Sequence, residues 1–178
     1  TTFIFTAAPP NSVALTTSLL NAFEVGDQRK LNWTKGVGSG TNLFYHPNKY
    51  KKRGAASPQM EYTVVLRLAE QYLIRAEARA HQGDLIGAKE DLNIVRSRAG
   101  LDHTTAVSDV ELLNAILHER QVEFFTEFGH RFMDLKRFGA LNSALSGKPD
   151  WDVTEEHLPL PQSELNLNPN LGSQNPGY

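Results

Sequence analysis

The densest cluster of ionisable side chains in this sequence is the stretch HERQVEFFTEFGHRFMDLKRFG, which runs from His118 to Gly139. If the stretch forms one helix, several charged residues lie in a single row, because side chains three and four positions apart share a helix face. These residues are Arg120, Glu123, Glu127, Arg131 and Asp134. A row of both signs could hold a pair of catalytic carboxylates, bind a phosphate, or serve only as an ion-pair network.

The pair Glu123 and Glu127 is the candidate for acid–base chemistry, since glycosidases use two neighbouring carboxyl groups. Each glutamate, however, has an arginine one helical turn away, which favours the ionised carboxylate over the protonated form that a general acid needs. The same acids would repel a phosphate bound at the arginines. We therefore predict a partly buried structural network that fixes the helix register, and no catalytic residues.

Metal and cofactor chemistry finds no support in the sequence. The dipeptide His118-Glu119 begins the H-E-x-x-H pattern of zinc proteases, but Val122 stands where the second histidine would be. The chain contains no cysteine, which excludes disulfides and cysteine-ligated zinc. The stretch GVGSGT lacks the terminal Lys-Ser/Thr of a phosphate-binding loop. We expect no metal, no cofactor and no enzymatic activity.

Composition places the chain among ordinary globular proteins. The net charge is −2 and the lysines and arginines are scattered, so no basic stripe suggests nucleic acid as a partner. No apolar run approaches the roughly 20 residues that cross a bilayer as a helix. At 178 residues a single domain is expected over 1–178. Its parts are a short helix and a long aromatic loop (1–60), a helical core (61–141) and an irregular but ordered tail (142–178).

Helices are expected to carry the charged side chains. Two apolar patterns with three- and four-residue spacing flank the turn Gly83-Asp84 and predict an antiparallel helical hairpin. The first pattern comprises Leu66, Ala69, Leu73, Ala76 and Ala80, and the second comprises Leu85, Ala88, Leu92, Val95 and Ala99. Small residues beside a tight turn are typical of tetratricopeptide-like repeats. One such unit cannot bury its own apolar faces, so it must stack on neighbours.

A third, long helix is predicted to begin at Ser108, which forms a capping box with Glu111. Its apolar positions continue to Leu135, with Gly129 inside the pattern. The glycine permits either a kink or one continuous rod, and the charged row assumes the rod. The predicted fold class is all-α: a tetratricopeptide-like hairpin plus a long helix, with long irregular loops and an extended C-terminal wrap.

Residues 27–58 are predicted to form a long irregular loop, since glycine and serine punctuate the segment and aromatic residues are interleaved throughout. Sugar rings stack their apolar C–H faces on aromatic side chains, and their hydroxyl groups need amides or charged groups. The loop offers both, and the candidate ligand-binding residues are Trp33, Tyr45, Tyr50, Asn32 and Asn48, with Trp151 as a separate candidate outside it. The alternative is that these aromatic side chains only pin the loop to the body of the protein.

The final segment, residues 158–178, reads LPLPQSELNLNPNLGSQNPGY. Pro159 and Pro161 force the leucines before them into extended geometry. We expect water or asparagine side chains to satisfy the backbone of this segment. An ordered segment is favoured over disorder, because disordered tails are rich in charge and poor in leucine. The leucines expected to anchor it to the helices are Leu158, Leu160, Leu165, Leu167 and Leu171.

Four stretches together resemble the SusD/RagB family of outer-membrane nutrient-binding lipoproteins. YLIRAEARAHQGDLIGAKEDLNIVRSRAGL is similar to the family's central motif, and AFEVGDQRK is similar to its "aF…D.R" element. ERQVEFFTEFGHRFMDLKRFG is similar to the helix "ER..El..Eg.R..DlkRwg", and the final segment is similar to the ending "lPiP..E…Npnl.QNpGY". The four stretches follow the family's order, and the resemblance covers the chain from about Asn11 to its last residue.

The resemblance implies an α-helical, non-catalytic protein exposed at the surface of a Gram-negative outer membrane. Such proteins cover a SusC-like TonB-dependent transporter and capture oligosaccharides, or less often peptides, for import. The family's lipidated cysteine and most of its amino-terminal helices are not in this sequence, so we expect the carboxy-terminal part of a longer protein. Membrane association would then occur only through that absent anchor. In the alternative interpretation, the chain is an interaction scaffold that docks on the transporter, and the ligand contacts lie in the missing part.

Overall fold

A computed structural model of the protein describes residues 4–11, 13–51 and 61–178. The chain divides into two compact units, residues 1–128 and 129–178. This division falls earlier than the predicted boundary between the helical core and the tail at residue 141. That the whole chain forms a single domain stays a prediction.

Among its described residues, the first unit contains helices and one pair of strands. Its described helices are α1 (Thr17–Ala22), α2 (Gln28–Trp33), α3 (Leu68–His81), α4 (Leu85–Arg98) and α5 (Asp109–Glu123). Between α2 and α3 lie the strands β1 (Thr34–Val37) and β2 (Phe44–Pro47), with a short 3₁₀ turn at Gly40–Asn42 between them. The strands are antiparallel, and Gly36 pairs with Tyr45.

The prediction of an irregular loop from residue 27 onward is therefore wrong for α2 and for the two strands, while residues 52–60 lie outside the described part of the chain. The glycines that suggested a loop instead shape a hairpin. Gly38 has a φ of +98°, and a Cβ atom at this position would lie 2.0 Å from the carbonyl oxygen of Asn42. Only glycine fits such a turn, so the composition typical of loops here marks the bend between two strands.

The helical hairpin formed by α3 and α4 is confirmed. Leu73, Ala76 and Ala88 are fully buried, and the small side chains allow the two helices to pack closely. The turn between the helices contains Gly83 at a φ of +81°, and Asp84 caps α4 by accepting a hydrogen bond from the Gly87 amide at 3.0 Å. The predicted apolar pattern of the first helix begins too early, because Leu66 precedes α3 and is 81% exposed.

Helix α5 begins with the predicted capping box between Ser108 and Glu111, which is confirmed. The helix ends at Glu123 and does not continue through residue 135. Three of the next residues have left-handed backbone conformations: Thr126 (φ 60°), Phe128 (φ 39°) and Gly129 (φ 74°). The continuous rod is therefore wrong, because the helix is interrupted between Glu123 and His130.

The second unit is a series of short helices. The α-helices are α6 (His130–Arg137), α7 (Leu141–Leu145) and α8 (Gln162–Leu167), and 3₁₀ turns lie at Val153–Glu156 and Pro169–Leu171. Leu135 and Leu141 are its buried apolar side chains among the described residues. The apolar centre of this unit is accordingly small.

Side-chain amides hold the final segment in place. The Leu160 amide donates to Gln174 Oε1 at 2.7 Å, and Gln174 Nε2 donates back to the Leu160 carbonyl at 2.8 Å. Asn175 Nδ2 donates to the Leu158 carbonyl at 2.7 Å. The prediction that asparagine side chains serve this extended backbone is confirmed for Asn175, and Gln174 acts in the same way. Anchoring by leucines is wrong for three of the five, since Leu158, Leu167 and Leu171 are 64%, 80% and 40% exposed.

Candidate functional site

Two glutamates on α5, Glu119 and Glu123, have no exposed surface. They are four residues apart and therefore lie on the same face of the helix. A carboxylate that is removed from water is strongly destabilising unless charged partners and hydrogen bonds surround it. The identity of those partners decides what chemistry these two groups can perform.

Arg29 on α2 bridges the two glutamates. Its Nη1 atom lies 2.6 Å from Glu119 Oε1 and 3.0 Å from Glu123 Oε2. On its other side, Arg29 Nη2 lies 2.8 Å from Asp27 Oδ2. Asp27 also caps α2, because its Oδ1 atom accepts the backbone N–H of Arg29 at 2.8 Å. The cap and the charge pair together fix the guanidinium group in one orientation.

Three further arginines complete the network. Arg98, at the end of α4, donates to both oxygens of Glu123 at 2.6 Å. Arg67, just before α3, pairs with the same carboxylate, and Arg96 lies 3.3 Å from Glu119 Oε2. Glu123 therefore joins α5 to α2, to α4 and to the segment that leads into α3.

Lys49, which follows β2, binds the end of α5. Its Nζ atom donates to the carbonyl oxygens of Glu123 at 2.8 Å and Phe125 at 3.0 Å, and it pairs with the carboxylate of Glu127. An ammonium group at this position satisfies carbonyls that have no partner within the helix and complements the helix dipole. Burial lowers the pKa of Lys49 to about 8, with Glu127 acting in the opposite direction.

The two buried glutamates differ in their protonation equilibria. Burial raises the pKa of Glu119, and Arg29 offsets only part of that effect. Burial acts in the same direction on Glu123, but the attraction of Arg67 and Arg98 outweighs it, and the pKa of Glu123 is lowered. Glu123 is accordingly the ionised centre of the network.

This arrangement is closed to a substrate. Glu123 is fully buried among guanidinium groups, and the Glu127 side chain is only 12% exposed and is held by Lys49 and Arg67. A glycosidase needs its two carboxyl groups on either side of an open cleft, with room for a sugar and a water molecule. The pair Glu123 and Glu127 does not offer that geometry. Its contacts instead link elements of the first unit.

The predicted charged row is not one helix face, because α5 ends at Glu123. Arg131 and Asp134 belong to α6 in the second unit. Within the first unit, the guanidinium carbon of Arg120 lies 5.2 Å from the centre of the Phe124 ring. The partners of Glu123 come from positions 25 to 94 residues away in the sequence.

In the second unit, Asp134 accepts a hydrogen bond from Arg137 Nε at 3.1 Å. Burial lowers the pKa of Arg131, with Asp134 acting in the opposite direction. Asp134 is therefore the acidic group that acts on both arginines of α6.

Sequence reasoning missed the arginines and the lysine that surround Glu123. The relevant signal was present in the stretch AFEVGDQRK, where Asp27 and Arg29 stand two residues apart. An aspartate that can cap a helix, followed by an arginine in its first turn, offers a fixed guanidinium group. What the sequence did not reveal is that this group points toward α5.

Among the aromatic candidates, Trp33 already has its ring in contact with cations of the ion-pair network. Its ring centre lies 4.9 Å from Lys49 Nζ, 5.4 Å from the guanidinium carbon of Arg67 and 5.7 Å from that of Arg98. The ring also packs against the apolar cluster that includes Phe125. Such cation–π contacts favour a structural role for Trp33.

Two other loop candidates use their side-chain polar groups within the protein, and a third is held by its backbone. Asn32 Nδ2 donates to the Gln28 carbonyl at 2.8 Å, and the Tyr50 hydroxyl accepts the Val64 amide at 3.0 Å. Asn48 is anchored by its backbone amide, which donates to the Trp33 carbonyl at 2.7 Å. These contacts support the alternative in which the segment is pinned to the body of the protein.

Tyr45 is arranged differently. It lies on β2 opposite Gly36, and a Cβ atom at Gly36 would be 3.2 Å from Tyr45 Cε1 and 3.1 Å from Leu43 Cδ1. The tyrosine ring and the leucine side chain therefore cover the glycine. Tyr45 is half-buried.

Trp151, the remaining candidate, belongs to the second unit. It is half-buried, and its indole N–H donates to Asn142 Oδ1 at 3.1 Å. The polar edge of this ring is thus already satisfied.

The described residues offer neither a cluster of metal ligands nor a membrane-spanning helix. In residues 4–11, 13–51 and 61–178, no group of three or more His, Cys, Asp or Glu side chains could hold a metal ion. Over the same residues, no helix is long and apolar enough to cross a membrane.

Known proteins match this chain in sequence. It is 35% identical over 130 residues to SusD-like protein P2 of Formosa agariphila, a match that covers 65% of this chain and 26% of that protein. It is 36% identical over 125 residues to the starch-binding protein SusD of Bacteroides thetaiotaomicron, covering 64% of this chain and 21% of that protein. The matches thus span about a quarter of the length of these relatives.

Solved structures match the fold. A SusD superfamily protein from Bacteroides vulgatus superposes with a TM-score of 0.76 at 24% identity, covering 93% of this chain and 44% of that one. Residues 24–178 match the sequence profile of the SusD family. The profile spans both Arg29 and Glu123 as well as the amide-held final segment, and the chain belongs to the SusD family.

Proposed function

We propose that this chain is part of a non-catalytic protein that binds oligosaccharides at the surface of the outer membrane and delivers them to a SusC-like TonB-dependent transporter. The observation that carries the proposal is membership of the SusD family over residues 24–178. One relative with 36% identity is named a starch-binding protein. In this proposal the full-length protein is lipid-anchored and exposed at the cell surface.

The arrangement of the charged groups supports binding without catalysis. The carboxylates that could act as an acid and a base are held by arginine and lysine side chains away from solvent. A protein of this kind recognises a sugar through stacking and hydrogen bonds, and neither requires a titrating group. The buried network then serves to hold α2, the β-hairpin and α5 in a fixed arrangement.

Titration calorimetry of the purified chain with neutral oligosaccharides tests the proposal. Maltoheptaose is the first probe because a relative is named for starch, and xylohexaose, mannohexaose and laminarihexaose complete the panel. We expect saturable binding of at least one oligosaccharide, and the corresponding monosaccharide serves as the control for weak, non-specific heat. A chain that binds none of the panel would contradict the proposal.

A second candidate function is an interaction scaffold that docks on the transporter. It is favoured by the internal use of the Trp33 ring, the Asn32 amide and the Tyr50 hydroxyl, which leaves these groups less available to a sugar. The scaffold predicts that the chain binds the purified transporter with equal affinity with and without glycan. A glycan-binding protein predicts saturable binding of the sugar by the chain alone.

A further inference from the structure

The β-hairpin has one face toward the protein and one toward solvent. His46 on β2 is 1% exposed, and its ring centre lies 5.2 Å from that of Phe5. Successive side chains of a strand point to opposite faces, so Tyr45 points away from the face of His46. Leu43, two residues before Tyr45, is 39% exposed, and Gly36 on the paired strand is exposed as well.

The Tyr45 ring packs over Gly36, in the space that a side chain at this position would fill. The position of a Cβ atom at Gly36 lies 3.2 Å from Tyr45 Cε1 and 3.5 Å from Tyr45 Cζ, so one edge of the ring occupies the space that a side chain would take. An aromatic ring that covers a glycine on a paired strand has few alternative rotamers. The ring is therefore ordered before any ligand arrives, which reduces the entropy lost on binding.

The polar end of this ring has no partner inside the described part of the chain. The Tyr45 hydroxyl makes no hydrogen bond with the residues that the structure describes, in contrast to the Tyr50 hydroxyl, which accepts one at 3.0 Å. Within the described part of the chain, the Tyr45 hydroxyl is thus available to a ligand.

We propose that Tyr45 and Leu43, seated over Gly36, form a subsite that stacks on one neutral pyranose ring. The apolar C–H face of a pyranose fits an aromatic and aliphatic surface, while its hydroxyl groups need a donor or acceptor at the rim, which the Tyr45 hydroxyl supplies. These residues carry no charge, so the subsite suits a neutral sugar. The inference rests on the proposed function and adds to it a specific place on the hairpin.

The test is oligosaccharide binding by the full chain with Tyr45→Ala, measured by calorimetry with the panel member that the wild type binds. We expect binding to weaken by about tenfold or more, as for an aromatic residue at the centre of a binding site. Tyr45→Phe keeps the ring and loses the hydroxyl, so it should weaken binding by only about two- to fivefold. Tyr62→Ala removes an aromatic side chain that is 77% exposed and serves as the matched control, with unchanged affinity expected.

Gly36→Val supplies an independent test that keeps Tyr45. The valine side chain would occupy the seat of the ring and displace it, so we expect weaker binding with an unchanged far-ultraviolet circular dichroism spectrum. If the wild type binds an oligosaccharide while Tyr45→Ala and Gly36→Val bind it within twofold of the wild type, the subsite is wrong and the proposed function stands. If the wild type binds no member of the panel, both are wrong.

Discussion

The two units of this chain satisfy their buried or half-buried polar groups in different ways. In the first unit, Glu123 is fully buried and receives arginine side chains from positions as far as 94 residues away. In the second unit, the backbone of Leu160 is served by the neutral amide of Gln174, which lies 14 residues away. Charged partners link distant elements, whereas neutral amides hold one local segment.

Charged and neutral partners differ in how much their loss destabilises the fold and in how they respond to pH. A buried carboxylate that loses its partners becomes an uncompensated charge, which is far more destabilising than an unmade neutral hydrogen bond near solvent. Carboxylates also titrate, whereas the amides of Gln174 and Asn175 do not. The first unit should therefore respond strongly to substitution and to pH, and the amide contacts of the final segment weakly to substitution and not at all to pH.

The largest effect is expected for Glu123→Gln. The substitution keeps the shape of the side chain but leaves Arg29, Arg67 and Arg98 without their shared negative charge, and it should lower the free energy of unfolding by about 3–5 kcal/mol. Urea denaturation followed by circular dichroism measures the change. The control is Glu90→Gln, which alters an exposed glutamate on α4 and should change stability by less than about 0.5 kcal/mol.

Alkaline pH should act on Lys49 in the first unit. Its folded-state pKa of about 8 is below the ordinary 10.5, so between these values the unfolded chain binds more protons and the stability rises with pH. Relative to Lys49→Met, which cannot titrate, the wild type should gain on the order of 2–3 kcal/mol between pH 8 and 10.5. Paired urea titrations of both proteins across this range measure the difference. A constant difference between them would contradict a lowered pKa.

Acid should selectively weaken the first unit through Glu123. Because burial is outweighed by its arginine partners, the pKa of Glu123 lies below the ordinary 4.5. Its contribution is complete above that pH and is lost as pH falls through the folded-state pKa. Glu119 acts in the opposite direction, since its raised pKa means that its contribution declines as pH rises from 4.5. The acid-induced loss should be smaller in Glu123→Gln than in the wild type when unfolding is followed from pH 6 to pH 3.

The smallest effect is expected for Gln174→Leu in the final segment. The Leu160 amide and carbonyl would lose their protein partners but remain close enough to solvent to bind water, so we expect a local loss of about 1 kcal/mol. Hydrogen–deuterium exchange at the Leu160 amide measures it as faster exchange, with global stability nearly unchanged. Ser173→Ala, at an exposed neighbouring position, is the control. Equal exchange rates in the two variants would show that the amide clamp does not hold the segment.

Local patterns were sufficient for much of the helical structure. The α3–α4 hairpin follows from small and apolar side chains at helical spacing around Gly83-Asp84, and the start of α5 follows from the capping box of Ser108. Both signals act within one or two helical turns, which is the range over which sequence spacing determines contact. The extended backbone of the final segment and its amide partners were also predictable in part, because proline and asparagine act on nearby residues.

The errors arose where contacts span long distances in the sequence. The prediction of one charged row requires Glu127 and Arg131 to continue the helix of Glu123. In the structure α5 ends at Glu123, and Glu127 pairs with Lys49. The β-hairpin was missed because its glycines also fit a loop, and the pairing of Gly36 with Tyr45 depends on two separate short strands. The exposed leucines of the final segment were misjudged because burial depends on what packs above a side chain.

The sequence by itself determined the α3–α4 hairpin, the capped start of α5, the amide-rich character of the last segment, and the motifs that resemble the SusD family. These properties depend on backbone preference and near neighbours, so residue order is enough to establish them. Only the tertiary structure decided which charges meet, that the Trp33 ring is enclosed by cations while the Tyr45 hydroxyl is left without a described partner, and that Glu123 is sealed from solvent. The physical reason is that pairing and burial are properties of distant segments brought together, and spacing along the chain does not encode that distance.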